Sequence, residues 1–241
     1  MTRVVFAHGF TQTGRSWDGI VDALAARLDD LDPVAPDLPG HGGAGQMSDD
    51  LWTSADRLVS IGGSASYVGY SMGGRVALHA AIARPESVQS LVLIGATAGI
   101  DDADTRADRR ASDEALAARV EEIGVASFLD SWLANPLFAR LTDESADRND
   151  RLRNTPAGLA SSLRCRGTGT QAPLWSRLGE IRCPTLLLVG EYDAKFRALG
   201  ERLVDGIPEA RLEVVPASGH SVHLEQPAAT VDALVHFLSP H

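Results

Sequence analysis

Apolar positions along this 241-residue chain fall into two alternating kinds of segment. Short apolar runs at 4–7, 34–36, 66–70, 91–95, 185–190 and 211–215 have the length of strands buried on both faces. Longer stretches between them carry helical spacing. Residues 16–28 place Trp17, Ile20, Val21, Leu24 and Leu28 on one face. Residues 50–61, 72–84, 195–205 and 222–238 read the same way, and Pro85 stops the second of these. Strands alternating with helices of this length predict a parallel sheet covered on both faces. The alternation lapses between Gly99 and Gly179. That stretch has helical periods at 109–123, 126–134 and 157–165 and no strand pattern. The expected organisation is a sheet core from residues 1–98 and 180–241, with a helical cap inserted at 99–179.

Composition narrows the function classes. Hydrophobic residues make up 44% and charged residues 22%, which describes a globular protein able to bury a core. The net charge of −10 argues against a nucleic-acid binder, which needs a basic footprint. No 18-residue apolar run is present, so no transmembrane helix is expected, and the first residues are too short to form a signal peptide. Cys165 and Cys183 are too few for a disulfide framework and read as reduced thiols of a cytoplasmic protein. Lys195 is the only lysine, so arginine supplies the other basic residues.

The chemistry concentrates at strand ends. Gly69-Tyr70-Ser71-Met72-Gly73 follows one expected strand and opens the next helix. This is G-x-S-x-G in its strand–turn–helix setting, where a strained turn holds the serine hydroxyl out of the sheet. The helix start behind Ser71 favours negative charge near that oxygen. A nucleophilic serine needs a base oriented by a carboxylate, here in the chain order Ser, Asp, His. Asp193 follows the strand at 185–190, and His220 follows the strand at 211–215. Glu191 competes for the acid position, but Asp193 has the better spacing. Of seven histidines, only His220 combines a glycine neighbour and a strand end with a place after Ser71 and Asp193 in the chain. His8 and His41 sit in glycine loops, His79 and His223 on expected helices, and His236 and His241 near the C-terminus. Two backbone N–H donors would form an oxyanion hole, from Met72 after the serine and from Phe10 in the loop after the first strand. Arg75 lies one helical turn past Ser71 and therefore near the reacting atoms.

These motifs make the chain resemble the α/β-hydrolase superfamily along nearly its whole length. More narrowly it is similar to the 2-succinyl-6-hydroxy-2,4-cyclohexadiene-1-carboxylate synthases of menaquinone biosynthesis. The narrower likeness rests on His8-Gly9-Phe10-Thr11, Asp37-Leu38-Pro39-Gly40-His41-Gly42 and the Gly73-Gly74-Arg75 that completes the elbow. It also rests on Arg106-Ala107-Asp108-Arg109 with Asp113, Trp132 with Pro136-Leu137-Phe138-Ala139, Arg153-Asn154, and Asp193-Ala194-Lys195-Phe196. The resemblance implies an α/β-hydrolase fold with a mostly parallel sheet. The chain departs from it by starting directly at the strand before His8-Gly9, where most members have a hairpin first, so about six strands are expected. A short sheet of that kind leaves an edge that a partner or covering segment must manage.

The resemblance further implies a lyase that eliminates pyruvate from 2-succinyl-5-enolpyruvyl-6-hydroxy-3-cyclohexene-1-carboxylate. Ser71, activated by His220, would remove a ring proton, with no metal and no cofactor. It implies that Arg75, Arg109 and Arg153 bind carboxylates, with Arg106 in reserve for Arg109, and that Tyr70 and Trp132 line the pocket. Lys195 matches the family too but is as well explained as a surface lysine at a helix start. A small polycarboxylate fits the composition in one respect. An acidic protein must gather local cations to hold a trianion, and arginine bonds carboxylates with both arms of its fork. Eleven of the arginines fall within residues 100–180, though acidic residues are interspersed among them. The alternative is a carboxylester or thioester hydrolase working through an acyl-serine. The sequence leaves monomer and dimer open.

Overall fold

A computed structural model describes residues 2–239. Strand β1 (Thr2–Ala7) leads through a 3-10 turn into α1 (Asp18–Ala25) and β2 (Leu31–Val34). Then come α2 (Leu51–Gly62), β3 (Ala65–Tyr70), α3 (Met72–Ala83) and β4 (Val88–Ile94). The chain between β4 and β5 holds α4 (Ala103–Leu133), the single turns α5 (Asp143–Ala146) and α6 (Arg148–Arg151), and α7 (Pro156–Arg166). The last described elements are β5 (Thr185–Gly190), α8 (Ala194–Gly206), β6 (Ala210–Val215), α9 (Val222–Glu225) and α10 (Pro227–Leu238).

All six strands are parallel, in the order β2-β1-β3-β4-β5-β6. The chain reverses its direction of travel across the sheet between β1 and β3. At such a point the connections leave the strand ends in opposite directions and open a crevice. Along β1 the period of two divides the core into layers. Val5 and Ala7 pack with Leu58, Val76 and Leu203 on one face. Val4 and Phe6 pack with Trp17, Leu24 and Leu234 on the other. A third apolar cluster joins α4 to α7 through Val120, Phe128, Leu129, Leu159 and Leu163. Phe10, in the loop after β1, packs against both this cluster and the first layer.

Three elements depart from the sequence expectation. The second strand lies at Leu31–Val34, ahead of the expected 34–36. Pro33 is tolerated there because β2 is an edge strand, where a missing N–H leaves no ladder bond unmade. The two helices expected at 109–123 and 126–134 are both present as the two arms of α4, which part at non-helical Gly124, but the first arm is longer than expected. Gly124 has φ 77°, in the left-handed region that a side chain disfavours. The helix also starts earlier, at Ala103, because Asp102 accepts the Thr105 N–H and caps it. The last expected helix is broken into α9 and α10 at Gln226, which is held out of helical geometry before Pro227.

Candidate active site

The site begins at the turn between β3 and α3. Ser71 sits there with φ 51° and ψ −106°, a conformation strained for a residue with a side chain. The backbone around it permits no bulk. A Cβ on Gly69 would lie 2.5 Å from the Gly73 carbonyl oxygen, and one on Gly73 only 2.1 Å from that of Ala7. The glycines therefore let β3, α3 and β1 close together, and the turn turns the Ser71 side chain outward.

His220 and Asp193 arrive from the ends of β6 and β5. Asp193 caps α8 with one carboxylate oxygen, which accepts the Phe196 N–H at 3.2 Å. Its other oxygen lies 2.8 Å from His220 Nδ1. A carboxylate only accepts, so Nδ1 carries the proton and Nε2 is left as an acceptor. Nε2 is 3.2 Å from Ser71 Oγ. The structure thus joins Ser71, His220 and Asp193 in one chain of hydrogen bonds, with the last two buried. Glu191 is turned away and accepts the Ala217 N–H at 2.9 Å.

Phe10 and Met72 both line the cavity that holds Ser71. Met72 is the first residue of α3, so its N–H has no partner within the helix. The loop carrying Phe10 is fixed by buried His8. His8 Nε2 accepts the Leu38 N–H at 2.9 Å, and Nδ1 donates to the Gly9 carbonyl at 2.8 Å. Burial pushes the His8 pKa down to about 4, which keeps this neutral tautomer at ordinary pH.

Cations are unevenly distributed around the cavity. Arg75, Arg109, Arg151, Arg166 and Lys195 line it. Arg109 is half exposed and paired at 2.8 Å with buried Asp113. Arg75, Arg151 and Arg166 are buried, and among the described residues no carboxylate forms an ion pair with any of them. They rest on neutral oxygens. Arg75 donates to the Arg166 carbonyl at 2.7 Å and to Gln171 Oε1 at 3.4 Å. Arg151 donates to the Ala146 carbonyl at 2.6 Å and to Thr11 Oγ1. Arg166 donates to the Pro39 and Asp49 carbonyls. Burial, with Arg109 and Arg166 nearby, pushes the Arg75 pKa down to about 9, which still leaves it cationic at pH 7.

Arg153 is not placed with them. Its guanidinium bonds Thr13 Oγ1 and Asp150 at 3.1 Å, and it lines an outer groove instead. Arg151, at the end of α6, is the residue turned inward. Arg106 likewise leaves the cavity and donates to the Ile100 carbonyl at 2.7 Å. Tyr70 and Trp132 do line it, and the Tyr70 hydroxyl meets Ser221 Oγ at 2.7 Å. Arg151 and Arg166 were missed because, in sequence, each looks like one more charged residue on a helix face.

The model of the alpha/beta hydrolase family matches residues 4–233. A putative 2-succinyl-6-hydroxy-2,4-cyclohexadiene-1-carboxylate synthase of Bacillus subtilis is 37% identical over 236 residues, covering 93% of this chain and 85% of the relative. A 2-succinyl-6-hydroxy-2,4-cyclohexadiene-1-carboxylate synthase of Escherichia coli O1:K1 is 33% identical over 244 residues, covering 98% and 93%. Among solved structures, MenH from S. aureus superposes with TM-score 0.89 at 32% identity, covering 99% of this chain and 94% of that one. A thermophilic esterase from Thermogutta terrifontis, with malate bound, gives TM-score 0.79 at 26% identity, covering 99% and 89%.

Proposed function

The chain belongs to the alpha/beta hydrolase family and, within it, to the 2-succinyl-6-hydroxy-2,4-cyclohexadiene-1-carboxylate synthases, and from that premise we propose that it eliminates pyruvate from 2-succinyl-5-enolpyruvyl-6-hydroxy-3-cyclohexene-1-carboxylate. Substrate and product differ by a ring proton, a shifted double bond and a carbon–oxygen bond. The proton to be removed is on the ring carbon bearing the succinyl ketone. Ser71 Oγ takes it as its own proton passes to His220 Nε2. The C–H electron pair becomes a new ring double bond, the existing one shifts by one carbon, and the bond to the enolpyruvyl oxygen breaks. Enolpyruvate leaves with the bonding pair, takes up one proton as the His220 imidazolium gives its own back, and ketonises to pyruvate. Negative charge builds on the succinyl oxygen meanwhile, and the Phe10 and Met72 N–H groups are assigned to stabilise it. Asp193 holds the His220 tautomer and stabilises its imidazolium.

The single observation that carries this reading is the set of buried arginines without ion pairs in the Ser71 cavity. Burying an unpaired cation is costly, and the cost is offset when an anion binds. Arg75, Arg151 and Arg109 are assigned to the three carboxylates of the substrate, Arg151 taking the place given to Arg153 from sequence. A neutral ester would need none of them, which makes ester hydrolysis the weaker reading. The chemistry needs neither metal nor cofactor. No helix among the described residues is long and apolar enough to cross a membrane. A cytoplasmic enzyme is proposed on a separate ground, the free thiols of Cys165 and Cys183. Pyruvate release from the purified enzyme, followed with a coupled dehydrogenase, is the test. If none is released from the enolpyruvyl substrate, the reading is lost.

A further inference from the structure

His220 stands on the loop between β6 and α9, where no ladder or helix fixes the main chain. The segment is made of small residues, Ala217-Ser218-Gly219 before His220 and Ser221 after it. Ala217 has φ 55°, a strained value for a residue with a side chain. The Ser218 carbonyl accepts the Tyr192 N–H at 2.9 Å and the Ser221 carbonyl the Leu224 N–H at 2.8 Å, which leaves the N–H groups on either side of His220 to be held by other acceptors.

One carboxylate brackets this position. Glu225 Oε2 accepts the Gly219 N–H at 2.5 Å, and Glu225 Oε1 accepts the Ser221 N–H at 2.9 Å. The two donors belong to the residues immediately before and after His220. Glu225 itself is anchored at the end of α9, where its N–H donates to the Ser221 carbonyl at 2.9 Å. Glu191 secures the same loop further upstream through the Ala217 N–H. Both bonds to Glu225 are charge-assisted, the stronger class of hydrogen bond.

We infer that Glu225 is a positioning residue, whose carboxylate clamps the main chain on both sides of His220 so that Nε2 faces Ser71 while Nδ1 faces Asp193. This rests on the assignment of His220 as the base. A displacement of about 1 Å at a reacting group can cost a hundredfold in rate, so a backbone clamp of this kind acts on turnover more than on substrate binding. Glutamine has the shape of glutamate but only one acceptor oxygen. Its amide nitrogen would face one of the two N–H groups and push it away.

The test uses the full chain with Glu225→Gln and reads alignment in three ways. The first is steady-state pyruvate release. The second is phosphorylation of Ser71 by diethyl p-nitrophenyl phosphate, which forms the Oγ–P bond, expels p-nitrophenolate and sends the serine proton to His220. The third is the low-field proton resonance of His220 Nδ1–H. Expected are a kcat at least tenfold lower with KM changed less than twofold, phosphorylation slowed by a similar factor, and a shifted or broadened resonance. Unchanged phosphorylation and resonance would overturn the clamp. So would a fall in kcat that merely tracks a lower Tm while the resonance keeps its position. In the wild-type enzyme the Gly219 and Ser221 amides should exchange slowly with solvent, and fast exchange of either overturns the proposal without any variant. If the wild-type enzyme releases no pyruvate, the reaction assignment fails, but phosphorylation and resonance still decide the clamp.

Discussion

Arg75 donates from its guanidinium to the main-chain carbonyl of Arg166, so one buried cation is held on the backbone of another. Neither has a carboxylate ion partner among the described residues, and Arg109 stands close enough to oppose the Arg75 charge. Like charges brought together in a low-dielectric cavity repel strongly. An arrangement of this kind makes physical sense when the missing negative charge arrives with a ligand. Arg75→Ala should lower kcat/KM for pyruvate release at least tenfold, the equivalent of about 1.4 kcal/mol. The same variant should be no less stable than the wild type without ligand, since an unpaired buried cation has been removed. Steady-state pyruvate release checks the first half, and thermal unfolding of the two ligand-free proteins checks the second.

Arg151 and Arg153 offer a direct contrast. They are two residues apart, yet only Arg151 lines the Ser71 cavity, while Arg153 is tied to Asp150 on the outer side. Arg151→Met should reduce kcat/KM at least tenfold, whereas Arg153→Met should change it less than threefold. Steady-state kinetics on the two variants side by side would decide. A larger loss at Arg153 would mean that the cap closes over the substrate in another arrangement.

The contrast also shows where sequence reading stops. Ser71, Asp193 and His220 could be brought together from sequence because each follows a strand of a parallel sheet within a few residues. Strand ends on one edge of such a sheet are neighbours in space whatever lies between them. No such rule orients Arg151 and Arg153. Their directions follow from Asp147, which takes a left-handed conformation between α5 and α6, and from Asp150 bonding Thr13 across 137 residues of sequence. Both are tertiary facts. Arg166 was obscured in the same way, since its partners, the Pro39 and Asp49 carbonyls, lie in loops far from α7. At β2 a strand was legible but not its bounds, since the start at Leu31, ahead of Pro33, is set by pairing with β1.

The proposed reaction makes Ser71 Oγ a carrier of a proton and not an acceptor of an acyl group. Ser71→Ala should therefore lower kcat by three orders of magnitude or more, in line with the loss of a nucleophile–base unit. The wild-type enzyme quenched during turnover should keep its unmodified mass. An adduct on Ser71 in the intact-mass spectrum would sink the proton-carrier role and favour an acyl-enzyme.

Acid stability supplies a prediction away from the reaction. His223 is fully buried, stacked on Trp17 with ring centroids 4.6 Å apart, and neither ring nitrogen has a hydrogen-bond partner among the described residues. Burial, with Arg151 and His220 adding to it, pushes its pKa down to about 3. The unfolded chain has an ordinary histidine pKa of about 6.5 at this position. Above that value neither state binds the proton, and His223 adds no pH dependence. As pH falls below it, the unfolded state takes up a proton that the folded state refuses. Stability from this group is thus fully present above pH 6.5 and is lost progressively down to about 3, with a slope approaching 1.4 kcal/mol per pH unit. His8 and His79, both pushed down to about 4 by burial, add their own slopes over a shorter window. Phenylalanine keeps the stacked ring and has no nitrogen to desolvate. His223→Phe should therefore raise stability at pH 8 by about 1–3 kcal/mol, the cost of unsatisfied buried polar atoms. It should raise stability more at pH 5, because the acid slope of His223 disappears. Urea unfolding of both proteins at the two pH values gives the comparison. An equal gain at both would show that the His223 ring takes up its proton in the folded state as readily as in the unfolded one.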